Sequence, residues 1–110
     1  MINDEAIDKA LAFLRDTAQD AAQARANRLH LDDYSRVIKA QIMSEHLAET
    51  VSAQERYAYG DVRYRNHLEA LKVAIFEDEK MRFLREAAGA KIEVWRSIQA
   101  NQRAEGKAYS

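Results

Sequence analysis

The sequence predicts an all-α protein, and three observations carry that expectation. There is no proline and there are only three glycines in 110 residues. Alanine, glutamate, arginine and leucine, the strong helix formers, are abundant; alanine alone occurs 20 times. Apolar residues recur at spacings of three and four, and no stretch alternates convincingly enough to predict a strand.

The first element is a short helix over about residues 4–16. Asn3 or Asp4 is placed to cap it, and Asp4, Glu5 and Asp8 suit the positive end of its dipole. Ile7, Ala10, Leu11 and Leu14 fall on one face, with Phe13 to the side. Thr17-Ala18-Gln19-Asp20 resembles a capping signal, so a second helix is expected from about 18. Five alanines between Ala18 and Ala26 fit either a close-packed seam or plain helix propensity. The pattern then runs through Leu31, Tyr34, Ile38, Ile42 and Glu45 to about residue 59, with a bend expected near 30. Glu45 and Glu55 face either solvent or arginines of a partner.

The clearest interruption is Arg56-Tyr57-Ala58-Tyr59-Gly60-Asp61-Val62-Arg63-Tyr64-Arg65-Asn66-His67. Gly60 is placed to end one helix in a left-handed conformation, and Asp61 to cap the next. Together they predict a tight turn between antiparallel helices. The third helix is expected over about residues 62–104. Two lines run along it: Leu68, Leu71, Ile75, Arg82, Arg85, Gly89, Ile92 and Arg96 form one, and His67, Leu71, Ala74, Met81, Ala88, Ile92, Trp95 and Gln99 the other. Val73, Phe76, Phe83, Leu84, Val94 and Ile98 widen the apolar surface beyond what a single hairpin partner covers. Gly89, among alanines, suggests close packing. The chain reads as one elongated helical domain, residues 1–110, with coiled-coil character. Its broad last helix predicts a homo-oligomer whose interface includes Phe76, Phe83, Ile92 and Trp95. The final residues from Gly106 to Ser110 are expected to fray.

Charge and composition limit the function classes. Net charge is −1, which is not that of a strong duplex-DNA binder. Residues 1–33 carry a net −3 and residues 82–110 a net +3, so head-to-tail association or a local basic face is possible on charge grounds. The absence of cysteine excludes disulfides and thiol catalysis. The acidic start lacks the pattern of a signal peptide, and no apolar run approaches a membrane span, which predicts a cytoplasmic protein without membrane contact. His30, His46 and His67 lack metal-ligand spacing, and no phosphate loop or nucleophile motif stands out, so neither metal, cofactor nor enzymatic activity is expected. The Tyr/Arg stretch has two readings: rings packing the end of a hairpin, or a nucleic-acid patch in which arginines meet phosphates and tyrosines stack on unpaired bases.

The plan resembles that of the UvsY-type recombination mediators of bacteriophages: a short helix, a long helix ending in Tyr57 and Tyr59, the Gly60-Asp61 break, then a long helix with Leu71-Lys72-Val73 and a later tryptophan. Ile92-Glu93-Val94-Trp95-Arg96-Ser97 also resembles the closing segment of small phage proteins encoded among recombination genes. The resemblance implies a helical homo-oligomer that binds single-stranded DNA and helps load a recombinase onto strands covered by single-strand-binding protein. Arg56, Tyr57, Tyr59, Arg63, Tyr64 and Arg65 are the expected contacts, with Lys72 secondary. The alternative is a helical adaptor or phage assembly protein that binds other proteins.

Overall fold

In the computed structural model, which describes residues 2–109, the chain is all-α. Helix α1 spans Asp4–Asp16, α2 Ala18–Met43, α3 Val51–Gly60 and α4 Val62–Tyr109, with one 3-10 turn at Ser44–His46. Among the described residues no helix is long and apolar enough to cross a membrane. The chain forms two compact units. A central unit holds Ala22–Glu79, and a terminal unit combines the chain up to Ala21 with the chain from Lys80 onward.

In the central unit α2 and α4 pair antiparallel, since Leu31 meets His67 while the earlier Arg28 meets the later Asp78. Ala24, Arg28, Leu31, Ser35, Ile38 and Ile42 of α2 turn inward at alternating spacings of four and three. Tyr64, His67, Leu71, Ala74 and Asp78 of α4 do the same. This is the seam pattern of a coiled coil. Among its polar members Arg28, Ser35, His67 and Asp78 are bonded. Arg28 donates to Asp78 at 3.1 Å and Glu79 at 2.9 Å, and the buried His67 ring donates from Nε2 to the Leu31 carbonyl at 2.6 Å. A slip of one turn would separate these partners, so the bonds fix the register of the pair.

The continuous second helix expected over 18–59 is not found. Residues 27–33 are uninterrupted helix, and the break comes later, at Ser44–Thr50. Thr50 explains it. Its hydroxyl accepts a bond from the Ala53 backbone N–H at 3.2 Å, and the Gln54 side chain donates to the Glu49 carbonyl at 3.0 Å. These bonds start α3 afresh and satisfy groups that a continuous helix would have paired internally. Thr50→Ala is expected to destabilise the protein by about 1 kcal/mol, measured by urea unfolding.

In the terminal unit α1 lies antiparallel to the last part of α4. Arg85 donates to the Leu14 carbonyl at 2.7 Å and to the Thr17 hydroxyl at 2.8 Å, and Trp95 donates to Asp4 at 3.3 Å. Asn3 caps α1 by accepting from the Ala6 N–H at 2.8 Å. Thr17 does not cap α2. Its hydroxyl donates backward to the Phe13 carbonyl at 2.6 Å, and its own carbonyl accepts from the Ala21 N–H. The acid-rich first helix thus packs along the base-rich end of α4. Much of the charge separation read along the chain is therefore balanced within this unit.

Two sequence expectations about glycine do not hold. Neither Gly60 nor any other described residue has a positive φ, and Gly60 is the last residue of α3. The chain turns instead at Asp61, whose φ of −74° and ψ of 139° are extended and open to any residue. A Cβ on Gly89 would meet nothing within 4 Å, so no helix approaches closely there. Gly89→Ala is therefore expected to raise stability by about 0.5–1 kcal/mol, through helix propensity and a less mobile unfolded chain, as a higher urea midpoint. Helix α4 runs on through the segment expected to fray, ending at Tyr109; Ser110 lies outside the described residues.

Candidate nucleic-acid interface

The stretch Arg56–His67 wraps the corner where α3 meets α4. The corner is held by one guanidinium. Asp61 Oδ1 accepts from the Arg63 backbone N–H at 2.8 Å and from Arg63 Nε at 3.0 Å, while Oδ2 accepts from Nη2 at 2.9 Å. The same Nη2 donates to both Glu45 oxygens, at 2.7 and 2.9 Å. Arg63 therefore ties the chain after α2 to the start of α4. Arg63, expected as a DNA contact, has two carboxylate partners within its own chain. Glu45 likewise faces this internal arginine.

These bonds set the local electrostatics. The Arg63 side chain, then the Arg63 backbone N–H, hold the Asp61 carboxyl down at about 2. The Arg63 hydrogen bond also lowers the Glu45 pKa, and the two carboxylates raise that of Arg63, Asp61 most. A folded-state pKa below the unfolded value stabilises the fold above the unfolded value, near 3.9, and the effect fades as pH falls toward 2. Asp61→Asn is accordingly expected to lower stability at neutral pH, and the gap from the wild type to close between about pH 4 and 2. Urea midpoints measured across that range check it.

The tyrosines divide between two sides of the corner. Tyr57 stacks on His46, with ring centroids 4.1 Å apart and planes 8° from parallel. Tyr59 packs edge-on to Tyr64, with centroids 5.5 Å apart. Its hydroxyl accepts from Lys39 Nζ at 2.8 Å, the chief cause of the raised Lys39 pKa. Glu55 lies 3.7 Å from the same ammonium. Tyr57 and Tyr59 nevertheless remain 49% and 48% exposed, so each keeps ring surface open to a ligand.

Arg56 and Arg65 complete the accessible set. Both are exposed, and neither side chain makes a hydrogen bond or ion pair among the described residues. Lys72 is exposed two helical turns after Arg65, on the same face of α4, and also has no such partner. His67 points inward and takes no part in the patch. His46 and Lys39 were missed as neighbours of the tyrosines. Both lie well before the Tyr/Arg run, and the unrecognised break at 44–50 is what folds His46 back against Tyr57.

The expected oligomer residues separate into two groups. Phe76 and Phe83 are open, 62% and 59% exposed. Ile92 and Trp95 are half-buried on the inward line of α4 in the terminal unit, and Trp95 bonds Asp4. They contribute at least in part to the packing of this chain, whereas Phe76 and Phe83 do so less. No family model, curated protein or solved structure matches the chain.

Proposed function

We propose that this chain is a non-enzymatic accessory protein of DNA recombination that binds single-stranded DNA as a homo-oligomer and helps load a recombinase onto strands covered by single-strand-binding protein. The observation that carries this reading is the α3–α4 corner. There, Arg56 and Arg65 have no acidic partner beside half-exposed Tyr57 and Tyr59 rings. Unpaired guanidiniums meet phosphates, and open aromatic faces stack on unpaired bases, a combination that suits single strands and not the stacked interior of a duplex. Such a patch is small, and repetition around an oligomer would multiply its effect. The resemblance of the sequence plan to UvsY-type mediators supports the same reading.

The test is fluorescence anisotropy of a labelled oligo-dT at low and moderate salt. Salt-sensitive binding, well above that of duplex DNA, is the expected result. Absence of binding by folded protein at micromolar concentration would overturn the reading. A second reading, a helical adaptor or phage assembly protein, draws on a specific observation. Arg63, Tyr57, Tyr59 and Tyr64 all make contacts that stabilise the corner itself, so part of the cluster is explained without DNA.

A further inference from the structure

Burial in this chain is incomplete for its mass. Its accessible surface is 8343 Å², against about 6,200 Å² for a compact monomer of 12.6 kDa. Part of the excess follows from the division of the chain into two units, and the rest is open to contact with other molecules. The surplus is apolar at particular places, and two of them are complementary.

The first is a groove of about 310 Å³ between α1 and α4 in the terminal unit. It is lined by small residues such as Ala10 and Ala87, by Phe13 and Leu84, and by Lys9 and Lys91. Lys91 has no partner among the described residues. Lys9 has only an exposed pair with Glu5 at 3.3 Å, which contributes little. The second is a ridge on α4 in the central unit. Phe76, 62% exposed, projects from it; Val73, 61% exposed, and Glu77 border the adjoining groove between α2 and α4, and Glu69 is exposed one turn before Val73. None of the described residues bonds either carboxylate.

We propose that the Val73/Phe76 ridge of one copy docks in the Lys9/Lys91 groove of a second copy. Large apolar side chains enter a groove lined partly by small ones, and exposed acids meet exposed bases beside it. The occupant is the chain itself because both halves of the contact are present on it, apolar for apolar and with opposite charge. The two surfaces differ, so the contact is heterologous: each copy offers a ridge to one neighbour and a groove to another, which closes a ring or extends a filament. This inference refines the oligomer of the proposed function and does not depend on DNA binding.

The test uses two full-length variants and no DNA. Phe76→Ser removes the knob, and Ala87→Arg blocks the groove; both sites are exposed, and circular dichroism verifies that each variant remains helical. By light scattering the wild type is expected to be larger than a dimer, and each variant alone to run as a single chain of 12.6 kDa. Mixed, the variants are expected to form a dimer and nothing larger, because only the intact ridge of one and the intact groove of the other remain. A wild type of one-chain mass, variants that assemble like the wild type, or a mixture that stays monomeric would each overturn the proposal. A second pair, Glu77→Lys and Lys91→Glu, is expected to weaken assembly singly and recover it when combined in one chain; no recovery also counts against it. Loss of oligo-dT binding with this assembly intact would instead count against the DNA reading alone.

Discussion

Replacing Arg56 and Arg65 together by alanine is expected to weaken oligo-dT binding about a hundredfold, taking roughly 1.5 kcal/mol for each charge-assisted hydrogen bond to a phosphate that the change removes. The slope of log affinity against log salt is expected to become shallower by about 1.4 for two phosphate contacts to a single strand. The fold should be unaffected, because neither guanidinium bonds to any described residue. Arg63→Ala provides the contrast. It releases Asp61 and Glu45, so it is expected to lower stability while changing the salt slope little. Anisotropy titrations at several salt concentrations, with urea unfolding of the same samples, separate the two effects. Equal loss of affinity from Arg63→Ala and from the double variant would mean that the corner matters to DNA only by being folded. Unchanged affinity in the double variant would remove the corner from the DNA reading and favour the adaptor.

That contrast between arginines two residues apart shows where sequence reasoning stops. The inner line of α4, from His67 through Leu71, Ala74, Met81, Ala88, Ile92 and Trp95 to Gln99, was one of two lines the spacing of three and four allowed; Leu68, Ile75 and Arg82 of the other are exposed. Its direction was not legible. Phe76 and Phe83 are as apolar as Ile92 and Trp95, and a helix apolar on two faces does not say which one its own chain covers. The break at 44–50 was also hidden. It contains neither glycine nor proline, and Thr50 had to be recognised as a cap within a sequence of good helix formers. The Tyr/Arg run is less uniform than adjacency in sequence suggests, because positions two apart on a helix point to nearly opposite sides. Tyr57 therefore reaches His46 while Tyr59 reaches Lys39 and Tyr64. The fate of Arg63 depended on Glu45, 18 residues earlier.

Ile42→Ala is expected to produce the largest loss of stability, about 2–5 kcal/mol. Ile42 is 1% exposed and is the one large side chain closed off almost completely from water among the described residues. It ends the inward line of α2, just before the turn that leads to α3. Most other large apolar residues are half-buried or open, so few neighbours are placed to fill the cavity that alanine would leave. With a urea slope near 1.5 kcal/mol per molar, a loss of about 3 kcal/mol lowers the midpoint by about 2 M. The single tryptophan, Trp95, lies in the terminal unit, whereas Ile42 lies in the central one. Helix α4 supplies one wall to each unit, so unfolding of the central unit releases the helix on which α1 packs. Tryptophan fluorescence and far-ultraviolet circular dichroism are therefore expected to shift together at fixed protein concentration. A shift in ellipticity alone, with the Trp95 transition unmoved, would mean that the two units unfold separately and that the seam around Ile42 stabilises only its own.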